Sequence, residues 1–301
     1  MEKVALLVGN DINNISSGNS WSELLDGLTT YLSIDVDFPH DKPFPLAYEE
    51  IFFKTIKHTS YKEDDIKRYV AEHVNRIESS NIHHLICNLG VKNILTTNYD
   101  LSLESVNSSA IKDITNKGYI KETKYSLFRK HEQDKTTFWH IHGSSTEPRS
   151  ITLGYEHYSG YLQNIRNYVV SGTKDTYKNK TFKPLLLRMR DKEVENHSWL
   201  DLFFTVDIHI FGLALDFVET ELWWLLTYRE KTKFLKKSLK SPITNVIHYY
   251  IPEEFVATSK TKMDLLNSLG VIVIPIEGYS TNKQNYYESV IASISSQLQI
   301  K

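Results

Sequence analysis

With 301 residues, 41% of them hydrophobic and 24% charged, the chain is long enough to bury a large core and too apolar for a disordered one. Thirty-five basic against 37 acidic residues leave a formal charge of −2, so no basic excess points to nucleic acid or an anionic membrane. A single cysteine, Cys87, excludes an internal disulfide and any cysteine-based zinc tetrad.

Val4–Val8 is a continuous apolar run stopped by Gly9, the pattern of a strand buried on both faces in a parallel sheet. The run is too short for a signal-peptide core, and none approaches the roughly 20 apolar residues that span a bilayer, so a soluble, cytoplasmic protein is expected. Ser20 and Glu23 form a capping box, after which Trp21, Leu24, Leu25, Leu28 and Leu32 recur on one helical face. Pro39, Pro43 and Pro45 mark a linker, and residues 46–89 read as two amphipathic helices, which makes 35–89 a helical insertion. A strand over 91–96 ends in Thr97-Asn98-Tyr99-Asp100. Residues 105–136 are polar and irregular, and a strand from 137 runs into His140-Ile141-His142-Gly143.

Residues 144–204 are expected to form a cap-like insertion in which Tyr155-Glu156-His157-Tyr158 either lines the cleft mouth or simply starts a helix. A strand over 205–211 halts at Gly212, and a helix follows from Asp216 to about Tyr228, with Trp223 and Trp224 read as packing residues. Five lysines over 231–240 read as a solvated surface. Strands at 246–251 and 271–276, a helix stopped by Gly270 and a last helix over 285–298 complete the chain. Strands alternating with helices predict one α/β domain over 1–301, a Rossmann-like open, mostly parallel sheet with helices on both faces.

Ligands of such sheets bind at the carboxyl ends of the strands, where this chain places polar clusters. Gly9-Asn10-Asp11-Ile12-Asn13 lacks the GxGxxG spacing, yet a glycine there lets backbone approach phosphate, as an ordinary strand-to-helix turn also does. Asn98 and Asp100 supply an amide that can hold a water or ribose hydroxyl and a carboxylate that can stabilise developing positive charge; an Asx-turn is the alternative. His142 beside Gly143 offers an imidazole suited to proton transfer near neutrality. His140 and His142, two apart in a strand, share a face and could chelate a metal, but no third ligand stands at a supporting spacing, and His140 reads as structural.

A glycine-asparagine turn, TxNxD, HG and then Gly212-Leu213-Ala214-Leu215-Asp216, in that order, resembles the sirtuin superfamily, and within it the bacterial sirtuin-like NAD-hydrolase branch of antiphage defence. The resemblance implies that Asn98 positions water or the nicotinamide ribose, that His142 is the general base and that Asp100 supports the ribose and the developing charge. It places Gly9, Asn10, Asp11 and Asn13 in the first phosphate loop, Thr96 and Thr97 beside the nucleotide, and Gly212, Leu213 and Asp216 in the second nucleotide-contacting loop. The GAGxS opening and the four-cysteine zinc module of the deacetylases are both missing. The resemblance therefore implies NAD as a substrate cleaved with water, no metal, homo-oligomers, a helicase-like (HerA-type) ATPase as partner, and no direct nucleic-acid or membrane binding. A deacylase or ADP-ribosyltransferase on the same NAD site, and a non-catalytic nucleotide- or nucleic-acid-binding assembly subunit, stay open as alternatives.

Overall fold

The computed structural model describes residues 3–15, 19–39, 42–106, 124–174, 181–235 and 243–299. Seven strands, β1 (Val4–Val8), β2 (Asn93–Thr96), β3 (His131–Gln133), β4 (Thr136–His140), β5 (Asp207–Phe211), β6 (Ile247–Pro252) and β7 (Val271–Ile276), form one sheet in the order β3-β4-β2-β1-β5-β6-β7. Every neighbouring pair is parallel except β3 with β4. From β1 the chain builds outward on one side through β2 and β4, then returns to the other side with β5. The strand order thus reverses at β1, where open α/β sheets form their ligand crevice.

The helices are α1 (Trp21–Leu32), α2 (Phe44–His58), α3 (Glu63–Val74), α4 (Asn81–Asn88), α5 (Tyr155–Arg166), α6 (Leu185–Arg190), α7 (Trp199–Thr205), α8 (Thr220–Leu235), α9 (Glu253–Val256), α10 (Lys260–Ser268) and α11 (Lys283–Gln299). The alternation along β1 explains why it reads as wholly apolar. Ala5 and Leu7 enter a core closed by α5, α6, α7, α8 and α10, while Leu6 and Val8 enter a second core under α4 and α11. A third core joins α1, α2 and α3 to Tyr99, Ile151 and Leu153, and so packs the first helices onto the loops that follow β2 and β4.

Two expectations are corrected. Residues 46–89 fold as three helices, because the chain turns extended at Thr59 and restarts at Ser80, whose amide donates to His83 Nδ1 at 3.0 Å. The polar stretch before β4 contains an edge strand, β3, whose three residues are too few to show alternation; it pairs with β4 across a turn in which Asp134 takes a φ of +51°. Residues 236–240 of the lysine run, and 107–123 of the polar stretch, lie outside the described residues. Among the described residues no helix is long and apolar enough to cross a membrane.

Candidate active site

Val8 pairs with Thr96 of β2 and Phe211 of β5, and Thr96 in turn pairs with His140 of β4. The loops that follow these four strands therefore open on one edge of the sheet. Asn98 and His142 each lie two residues beyond the Thr96–His140 pair, in the loops that follow two neighbouring parallel strands. The His140 Nδ1–H donates to the Asn98 carbonyl at 2.9 Å and fixes one loop to the other.

The first and fourth loops are stitched together by backbone. Gly9 N donates to Phe211 O at 3.0 Å and Asp11 N to Gly212 O at 2.9 Å. Gly212 takes a φ of +66°, a conformation that suits glycine. A Cβ on Gly9 would lie 2.3 Å from Gly212 O and 2.6 Å from Leu213 Cα, both fixed backbone atoms. Gly9→Ala is accordingly expected to lower the melting temperature by roughly 4–10 °C in scanning calorimetry, the scale of an overpacked core. An unchanged transition would mean that the two loops are not held in contact.

The polar side chains of the first loop brace the site. The Asp11 carboxylate accepts from Tyr279 Oη at 2.9 and 3.0 Å, from Lys283 Nζ at 2.9 Å and from Tyr287 Oη. Asn13 donates to Asn10 Oδ1 and to Asp100 Oδ2, each at 2.8 Å, and accepts at Oδ1 from His83 Nε2 at 3.0 Å. Because His83 Nδ1 faces the Ser80 amide it must accept there, which leaves the proton on Nε2; burial lowers its pKa and keeps the ring neutral. The other oxygen of Asp100 takes the Ser102 amide and hydroxyl. Asp100 thus ties the TxNxD loop to the first loop.

Asn98 differs from these neighbours. Its amide nitrogen makes one long bond of 3.5 Å to Gly9 O, its Oδ1 is buried with no partner among the described residues, and the residue is 4% exposed. Its backbone is held by the Thr96 hydroxyl, which accepts from Asn98 N at 3.0 Å and donates to Val8 O at 2.9 Å; Thr97 N also bonds to Val8 O, at 3.2 Å. A cavity of about 20 Å³ lined by Asn10, Trp21, Asn98, Tyr99 and Asp100 adjoins it, room for a single water.

His142 and its partner are both buried. Its Nε2 stands 2.7 Å from Glu221 Oε1, and Glu221, in the first turn of α8, is fully enclosed, its Oε2 without a partner among the described residues. Tyr158 and Tyr161 of α5 stand edge-on to the imidazole at 5.5 and 6.3 Å. Tyr158 therefore both belongs to the start of α5 and walls the site. Glu219 lies beside Glu221; burial, then the Glu221 charge, push its carboxyl well above the usual range. The sequence offered no signal for Glu221, since an acidic residue in a first helical turn is ordinary.

His140 and His142 do not converge on one point. His140 turns instead to Glu104, whose Oε1 lies 2.6 Å from His140 Nε2 and 2.7 Å from His131 Nδ1 of the edge strand. These three donors lie within 4.8 Å of one another and are the kind of group that can hold a metal ion. Their observed spacing is that of shared protons, since two ligands on one tetrahedral metal stand roughly 3.3 Å apart.

The fourth loop is held by Tyr249, whose hydroxyl reaches Leu213 O at 3.0 Å, and by Lys262, which donates to Ala214 O at 2.9 Å. Leu213 is buried, while Asp216 is exposed and faces Lys262 at 3.6 Å. Between the first and fourth loops and α11 lies a cavity of about 270 Å³, lined by Asp11, Gly212, Leu213, Tyr249, Tyr279 and Tyr287. Its place beyond the ends of β5 and β6 is where an open sheet takes a nucleotide.

A family model described as a SIR2-like domain matches residues 92–197. The matched segment holds Asn98, Asp100 and His142, while the first and fourth loops lie outside it. No curated protein matches the chain. The match supports a sirtuin-like family and NAD-related chemistry in general.

Proposed function

We propose that this chain is an NAD glycohydrolase that releases nicotinamide and ADP-ribose. The observation that carries the reading is that Asn98, whose amide oxygen has no partner among the described residues, and His142, with a buried acid behind it, follow the ends of two neighbouring parallel strands inside the segment that resembles SIR2 domains.

The chemistry follows from these groups. Water attacks the anomeric carbon of the nicotinamide ribose as the N-glycosidic bond breaks, and the bonding electron pair neutralises the pyridinium nitrogen. Nicotinamide leaves uncharged, so no acid need protonate it, and the site needs one base and a positioning group where most glycosidases need two carboxylates. Asn98 holds water or a ribose hydroxyl, and the water proton passes to His142 and from there to solvent. The four-cysteine module that frames an acyl-peptide cleft in deacetylases is missing, which argues for water as the acceptor.

A cell requires such an activity to be restrained. We place it in antiphage defence, depleting NAD once an oligomer or a helicase-like (HerA-type) ATPase has assembled with it. The test is to incubate the purified chain with NAD, alone, with that ATPase and with acylated peptide, while nicotinamide and ADP-ribose are quantified. Equal release of the two without peptide is expected. Acyl-ADP-ribose formed only with peptide would assign a deacylase instead, and bound but uncleaved NAD a non-catalytic subunit.

A further inference from the structure

We infer that Glu221 is a positioning residue for His142, fixing the proton on Nε2 and presenting Nδ1 as the base of the proposed hydrolysis. The inference rests on that reading of the site. A carboxylate only accepts, so the 2.7 Å contact places a hydrogen on Nε2 of the imidazole. In the neutral ring the lone pair then belongs to Nδ1, which bonds to none of the described residues. Once Nδ1 takes a proton, the imidazolium stands against a charge 0% exposed to solvent, where an ion pair is screened least.

The groups facing this pair are few. Tyr158 and Tyr161 of α5 enclose the ring, while Glu219 and Tyr99 lie near enough to interact with Glu221. Burial raises Glu219, Tyr99 and Tyr158, which favours the neutral form of each, and of this set it is Glu221 whose carboxylate touches the imidazole. The dyad joins two distant parts of the chain at the start of α8, immediately after the fourth loop, and links the base to the element that carries that loop.

Glu221→Gln keeps the shape and removes the charge. In nicotinamide-release assays it is expected to lower kcat about 100-fold with KM within about 3-fold, because the group acts on proton transfer. The rising limb of the kcat–pH profile, which reports the base, is expected to move to lower pH as the imidazolium loses its counter-charge, and Glu221→Asp to recover part of the rate. A merely structural ion pair would lower the melting temperature and leave that limb in place.

Nitrogen NMR of the His142 ring in the full chain without NAD gives a readout independent of turnover. An Nε2-protonated neutral ring is expected, titrating at higher pH in the native chain than in Glu221→Gln. An Nδ1-protonated ring, or identical titrations in the two proteins, would overturn the inference. Absence of NAD cleavage by the native chain together with the expected ring titration would instead sink the hydrolase reading and leave the dyad intact.

Discussion

Asn98→Ala is expected to lower nicotinamide release by about 100-fold or more while moving the melting temperature by less than about 2 °C. The two halves of this expectation come from one geometry. The amide contributes little to the fold: among the described residues its side chain makes one bond, 3.5 Å long, and its buried oxygen has no partner, so truncation removes a desolvated polar group and one long contact. What it loses is a dipole that the Thr96 hydroxyl and the His140 ring hold in place through the backbone of the same residue. His142→Ala is expected to cost activity on the same scale, but with a stability penalty of about 3–5 kcal/mol, because it strands Glu221 in the interior without a counter-group. The contrast between the variants is itself a check. An Asn98→Ala protein that melts well below the native chain, or that hydrolyses NAD at the native rate, would show the amide to be a turn-former.

Local signals carried the strands and the first helix. Val4–Val8 and the Ser20–Glu23 box have the bounds expected of them because apolar continuity and capping are decided within a few residues. TxNxD and HG follow the ends of β2 and β4, which pair in parallel register. What stayed hidden was hidden by distance. Glu221 meets His142 across 79 positions, and the tyrosines on Asp11 lie 268 and 276 positions from it. Asp11 reads as a phosphate-loop residue in the sequence because nothing nearby shows that α11 will claim its carboxylate. The Glu104–His140–His131 contact was invisible for a second reason. It depends on β3, an edge strand of three residues whose place is set by its pairing with β4.

That contact sets an expected loss of stability as large as the one at His142. His140 donates from Nδ1 to a carbonyl, which can only accept, and from Nε2 to a carboxylate, so the ring carries both hydrogens and a charge. Burial would lower its pKa, yet the Glu104 charge outweighs burial and raises it; burial would likewise raise Glu104, yet His140 and His131 hold it at about 2. Glu104→Ala leaves that cation enclosed and is expected to cost about 3–5 kcal/mol, roughly 6–15 °C in melting temperature. The dependence on pH has two edges. Glu104 titrates below its ordinary 4.5, so its contribution is present above that value and is lost as pH falls toward 2. His140 titrates above its ordinary 6.5, so its contribution is complete below that value and is lost as pH rises through the raised pKa. The difference in unfolding free energy between native chain and Glu104→Ala, measured by urea titration at pH 3, 5.5 and 9, is therefore expected to peak at 5.5. A gap at pH 9 as large as that at pH 5.5 would show His140 to be neutral, and with it the Asn98 carbonyl would lose its charged anchor.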